Sequence, residues 1–160
     1  MRFDRDQRRA ILAHPAGWIA SGFGAGFSPF APGTAGSALA LLPYLALREL
    51  PVAWYLVLVA LAFVLGVWVS AIVVRRLGIS DPGVIVWDEF VGQWITLAFA
   101  PHDWGWIVAG FFLFRFFDVW KPWPVSWADR ALKGGLGVML DDVGSGIYAA
   151  VALGILVYFF

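Results

Sequence analysis

Val84-Ile-Val-Trp-Asp-Glu-Phe-Val-Gly-Gln-Trp-Ile-Thr96 is an apolar run that carries two adjacent carboxylates, Asp88 and Glu89. On insertion scales one ionised side chain at a bilayer centre costs about 2.5–3.5 kcal/mol. Two side by side are not retained for packing. They must lie near headgroups, face a wet cavity or hold a cation, and each option makes the pair the centre of a site.

The chain around this stretch supports a membrane setting. It has 160 residues, 61% hydrophobic and only 14% charged, with a mean hydropathy of +0.80. Soluble domains carry about 25% charged residues. The 10 Trp and 4 Tyr suit the two bilayer interfaces. A net charge of +0 argues against nucleic-acid binding. The absence of cysteine excludes disulfides, thiolate-bound zinc and a cysteine nucleophile. The length suits one domain, residues 1–160, with 1–14 as a surface tail. The tail opens with a polar, Arg-rich helix over 2–9. No continuous apolar region with a small-residue cleavage site follows it, so a signal peptide is not expected.

Upstream of the central stretch, Gly22, Gly24, Gly26, Pro29, Pro32, Gly33 and Gly36 interrupt the segment 18–37. It reads as a short or re-entrant helix, then a loop from Ser28, then a helix starting at Thr34 or Ser37. Such a loop either packs helices closely through small residues or presents backbone N–H groups to a phosphate. A short apolar helix follows over 38–50, bent at Pro43. Residues 52–74 form a spanning helix that Arg75 and Arg76 end. A polar turn carries Asp81-Pro82, which has the form of a helix entry. The central helix is expected over 84–100 and the next over 104–120. An interfacial connection follows over 121–142, with the flexible pair Gly134-Gly135, and a last span over 143–160. The expected fold is all-α: a polytopic membrane bundle with an interrupted Gly/Pro-rich N-terminal segment and an interfacial connection before the last helix.

Basic residues mark cytoplasmic helix ends. With the N-terminus inside, ten of the eleven Lys and Arg fall inside and only Arg48 falls outside. The same alternation gathers the Gly/Pro loop, Asp81, Asp88, Glu89, Arg115, Asp118, Lys121, Asp141 and Asp142 at one membrane face. His14 and His102 fall at opposite faces. An oxygen-rich cluster with few histidines and no thiols suits Mg²⁺ or Mn²⁺. Arg115, Asp118 and Lys121 recur at a spacing of three and share a helix face. Simpler roles exist for some of these groups. Arg115–Asp118 can be a local ion pair, and Asp141 or Asp142 can cap the last helix. A metal–carboxylate site beside cations and an N–H-rich loop suits phosphoryl chemistry on a lipid headgroup. The alternative is a cation- or proton-coupled transporter. It is disfavoured by the short chain, the lack of an inverted repeat and charges at one face rather than the midplane. A non-enzymatic scaffold leaves the convergent carboxylates unexplained.

Four motifs, Ser28-Pro-Phe-Ala-Pro-Gly-Thr-Ala-Gly-Ser37, Ile85-Val-Trp-Asp-Glu-Phe-Val-Gly92, Phe114-Arg-Phe-Phe-Asp-Val-Trp-Lys-Pro-Trp-Pro124 and Gly134-Gly-Leu-Gly-Val-Met-Leu-Asp-Asp142, closely resemble bacterial phosphatidylglycerophosphatase A. The resemblance runs from Trp18 to the last helix. It implies a Mg²⁺-dependent enzyme of the bacterial inner membrane that hydrolyses phosphatidylglycerophosphate to phosphatidylglycerol and phosphate, with the site facing the cytoplasm. Its carboxylates carry over onto Asp88, Glu89, Asp118, Asp141 and Asp142 as metal ligands, with Asp88, Glu89, Asp118 and Asp142 as catalytic candidates. Ser28, Gly33, Thr34, Arg115 and Lys121 become substrate-binding candidates. Which carboxylate is ligand and which is base stays open. Neither a Cys-x5-Arg loop nor an Arg-His-Gly motif is present, so direct attack by metal-activated water is the expected mechanism. The expected partners are the lipid substrate and the bilayer, and a monomer or an oligomer is equally compatible with the sequence.

Overall fold

The computed structural model describes residues 4–160. The described residues form eight α-helices, one 3-10 turn and no strand. Arg2 lies outside them. α1 (Arg5–Leu12) starts at a reciprocal cap: the Asp4 carboxylate accepts the Gln7 N–H at 2.7 Å, and the Gln7 side chain accepts the Asp4 N–H at 3.1 Å. Most of α1 is exposed, but Ile11 is buried in one cluster with Val69 and Val73. The tail is therefore docked as well as superficial.

α2 (Pro15–Ala20) leads into the 3-10 turn Ala25–Phe27. The glycine spacing here has a steric cause. A Cβ on Gly26 would lie 2.0 Å from the Val84 carbonyl oxygen. The Val86 N–H donates to the Ala20 carbonyl at 2.8 Å. These two contacts hold residues 84–86 out of the helix, so the central helix, α5 (Trp87–Leu97), starts later than expected; it also ends sooner. Its 11 residues span about 16 Å, too short to cross a hydrocarbon core of about 30 Å. α3 (Pro32–Leu47) starts at Pro32, earlier than expected, with Pro43 inside it. Proline suits the first helical position because its missing N–H has no intrahelical partner there. Asp81-Pro82 opens no helix; it lies in the turn between α4 and α5.

α4 (Val52–Leu77) and α8 (Gly134–Phe159), of 26 residues each, are long and apolar enough to cross a membrane. α6 (Trp104–Trp120) and α7 (Val125–Ala131) complete the helices. The start of α8 overturns the expected boundary at Val143 and shortens the connection to 121–133. Gly134-Gly135 is not a flexible break. A Cβ on Gly135 would lie 2.2 Å from the Val67 carbonyl oxygen, so the pair lets α8 begin directly against α4. Asp141 and Asp142 consequently sit about two turns inside α8 and do not cap it; the capping position belongs to Lys133, which makes no side-chain cap bond.

Contacts along the helices fix their directions. Gly33 of α3 faces Glu89, while the Tyr44 hydroxyl donates to the Leu97 carbonyl at 3.3 Å. α3 and α5 therefore run the same way. α4 returns: the Tyr55 hydroxyl donates to the Trp94 carbonyl at 2.7 Å, and Trp87 Nε1 donates to the Ala62 carbonyl at 2.9 Å. α6 lies antiparallel to α5, with Gly110 against Leu97 and Phe114 against Gly92. α8 crosses α5 at Gly92 and Gly146, where a Cβ on Gly146 would lie 2.6 Å from the Gly92 carbonyl oxygen. The outer faces of α4, α6 and α8 expose Leu58, Leu61, Val64, Phe112, Ile147 and Val151. Apolar surface on this scale needs a nonaqueous partner.

Candidate active site

The α5–α8 crossing sets the site. Because Gly92 lacks a side chain, the backbone of α8 approaches α5 one turn beyond the carboxylates, and Asp142 enters beside Asp88 and Glu89. One carboxylate oxygen from each of these three residues lies within 4.8 Å of the others. Asp88 and Asp142 are buried. Asp88 Oδ1, Glu89 Oε2 and Asp142 Oδ2 are all buried without a hydrogen-bond partner. Three converging carboxylates, each with one unpartnered buried oxygen, are costly when ionised unless a cation sits among them. An all-oxygen donor set fits a hard divalent ion.

A second layer flanks this triad. Arg115 of α6 pairs with Asp118 at 2.5 Å and reaches Glu89 Oε1 at 3.8 Å. It also donates weakly to Ser37 Oγ at 3.4 Å. Gly33 is small for a reason: a Cβ there would lie 2.2 Å from Glu89 Oε1 and 3.1 Å from both terminal nitrogens of Arg115. The N-terminus of α3 is thus pressed against the ion pair. The local Arg115–Asp118 pair and the shared site are one arrangement.

A family model described as phosphatidylglycerophosphatase A matches residues 18–157. The chain belongs to that family. It is 43% identical to phosphatidylglycerophosphatase A of Escherichia coli strain K12, over 92% of this chain and 86% of that protein. It is also 43% identical to the protein of the same name from Haemophilus influenzae, over 91% of each. A Bacteroides thetaiotaomicron protein named putative phosphatidylinositol-3-phosphatase is 42% identical, over 86% of this chain and 90% of that one. No solved structure matches.

Within this phosphatidylglycerophosphatase A frame, the structure divides the candidate residues. Asp88, Glu89 and Asp142 converge, and Asp118 stands next to them through Arg115. Asp141 turns away: its Oδ2 accepts from Lys121 Nζ at 2.5 Å and its Oδ1 accepts the Asp142 N–H at 3.0 Å. Lys121 also donates to Asp129 Oδ1 at 3.0 Å. Burial alone would lower the Lys121 ammonium, but Asp141 and Asp129 together hold its pKa above the ordinary lysine value. Of the loop candidates, Gly33 touches the site, Thr34 is exposed, and the Ser28 hydroxyl donates to the Phe30 carbonyl at 2.7 Å. Asp129, Ser37 and Gln93 are not among the site residues that the sequence suggests. Gln93 is fully buried and neither of its amide atoms has a partner. It lies one turn from Glu89 on α5, on the same helix face.

Proposed function

We propose that this chain hydrolyses phosphatidylglycerophosphate to phosphatidylglycerol and phosphate, with Mg²⁺ held by Asp88, Glu89 and Asp142, at the cytoplasmic face of the bacterial inner membrane. Family membership supports the reaction. The convergence of three carboxylates, each with one unpartnered buried oxygen, supports the cation, and it is the observation that carries the reading. When bound, Mg²⁺ would offset phosphate charge and acidify water.

The protein groups supply the rest. Arg115 and Lys121 offer cationic donors to the remaining oxygens of the terminal phosphate, and the N–H groups of Gly33 and Thr34, which lack intrahelical partners, offer neutral ones. Water adds to phosphorus, the bond from phosphorus to the glycerol oxygen breaks, and the departing alkoxide takes a proton. A carboxylate of the set accepts the proton that the water loses. Asp118 and Arg115 hold each other and thereby keep Glu89 and Asp142 in register.

Several observations support the membrane placement. α4 and α8 are each about 39 Å long. The polar site sits where α3, α5 and α8 begin and α4 and α6 end. Arg48 lies at the other end, donating to the His102 carbonyl at 2.9 Å. On this basis the molecule is a polytopic bundle with α7 at the headgroup layer, where Trp123 and Trp127 are exposed. Carboxylates gathered at one end rather than midway favour hydrolysis of a headgroup over transport.

The test is phosphate release by the purified protein from phosphatidylglycerophosphate, with and without Mg²⁺, beside phosphatidylinositol 3-phosphate as a second lipid monoester. Release from the first lipid that needs Mg²⁺ is expected. Release unaffected by chelation would overturn the metal reading.

A further inference from the structure

Lys121 closes α6 in a left-handed backbone conformation, with φ 45°. Its side chain is then caught from two sides. An ammonium group has three N–H donors. Asp141 Oδ2, 2.5 Å away on α8, takes one, and Asp129 Oδ1, 3.0 Å away on α7, takes another. With two directions fixed on a tetrahedral nitrogen, the third is fixed as well. A lysine head is otherwise a freely turning point charge on a flexible stem.

Both anchors are themselves held. Asp141 spends its other oxygen on the Asp142 N–H, so Lys121 is tied to the residue that completes the carboxylate triad. Asp129 belongs to α7, which is pinned to α8. Val125 is buried over Gly144, where a Cβ would lie 2.6 Å from Val125 Cγ2. The Tyr148 hydroxyl donates to the Trp123 carbonyl at 2.9 Å. Val125 and Asp129, four apart, share one face of α7, so the contact that seats the helix also sets the position of Asp129.

We propose that Asp129 is a positioning residue for the phosphatase reaction: with Asp141 it aims the one remaining Lys121 N–H at the terminal phosphate of the lipid. Among the described residues, the contact that Asp129 makes toward the site is its hydrogen bond with Lys121. Without it, Lys121 keeps its charge and its Asp141 partner, but its flexible stem is no longer braced from a second side. The inference rests on the reading that Lys121 contacts the phosphate.

The experiment is a cycle of Asp129→Ala, Lys121→Met and the double variant, with Asp129→Asn as the conservative form. KM and kcat are measured on phosphatidylglycerophosphate in mixed micelles, and melting temperature is monitored. Loss of one ordering hydrogen bond predicts a KM about five- to tenfold higher for Asp129→Ala, with kcat nearly unchanged because ground and transition states lose alike. Asp129→Asn keeps an acceptor and should restore most of the difference. In the Lys121→Met background, Asp129→Ala should add nothing. An unchanged KM in Asp129→Ala, or a full further loss in the double variant, overturns the positioning role. A neutral Lys121→Met overturns the phosphate contact, and the proposal falls with it. If Asp129→Ala does not fold, Asp129→Leu, which also lacks an acceptor, decides by the same criterion with and without Lys121→Met.

Discussion

Gly92 of α5 lies so close to Asp142 of α8 that a Cβ at position 92 would fall 2.8 Å from the Asp142 carbonyl oxygen. The same Cβ would lie 2.4 Å from Phe114 Cε2 of α6. Three helices therefore meet at a point without a side chain. The Thr96 hydroxyl closes the crossing, donating to the Gly92 carbonyl at 2.9 Å and approaching that of Gly146 at 3.4 Å. Gly92→Ala should cost about 1–3 kcal/mol in stability through overpacking. It should lower turnover well beyond that loss of folded protein, because Asp142 moves away from Asp88 and Glu89. Gly154→Ala, on the same α8 but in open space, is the control. Equal turnover in the two variants would refute the idea that this crossing sets the site.

Removing charge from the triad should be severe. Asp88→Asn, Glu89→Gln and Asp142→Asn each keep shape and are expected to lower kcat at least about 100-fold, the scale of losing a principal electrostatic contact. Asp118→Asn should lose comparably through Arg115. Near-normal turnover of Asp88→Asn and Asp142→Asn at low Mg²⁺ would make these residues structural.

Cation binding should be visible without turnover. A ligand that binds only the folded state stabilises it by RT ln(1 + [L]/Kd), so Mg²⁺ should raise the melting temperature of the resting protein in detergent. Asp142→Asn should abolish that rise, while Asp129→Asn retains it. Thiol reagents should leave activity intact, since the chain has no cysteine. A rise that persists in Asp142→Asn would place the cation elsewhere.

Orientation is open to single-cysteine labelling with an impermeant reagent in spheroplasts. Ser80 is exposed at the end that carries the site, and His102 is half exposed at the other. His102→Cys should label and Ser80→Cys should not. The reverse pattern would invert the topology.

Gln93 offers a sharper test of polarity inside the bundle. A buried, unpartnered amide costs about 1–3 kcal/mol, so Gln93→Leu should raise the melting temperature. A fall instead would mean that ordered water satisfies the amide.

The sequence carried the α5–α6 hairpin well. Asp88 and Asp118 lie at similar distances from the turn at 101–103, so antiparallel helices bring them to one depth. It could not separate Asp141 from Asp142. Neighbours on a helix diverge by about 100°, and only the crossing angle of α8 decides that one joins the triad and the other meets Lys121. The start of α8 was hidden because Gly134-Gly135 has the signature of a break, whereas here it serves close contact with Val67. Asp129 was invisible for another reason: one aspartate in a polar connection has no periodicity to mark it. Gln93 was passed over inside an apolar run, where an amide resembles a tolerated exception.

On the proposed membrane placement, α5 ends at Leu97 with about half a bilayer still beyond it. A helix that stops in hydrocarbon leaves carbonyls with no water to bind. The hydroxyls of Tyr44 and Tyr55, from the two flanking helices, donate to Leu97 and Trp94. The blunt end of the site-bearing helix is thus sealed by its neighbours and held at fixed depth. On the proposed placement, the carboxylates at its other end are thereby hung at the height of the headgroups, and the protein measures the membrane from the inside rather than from its surface.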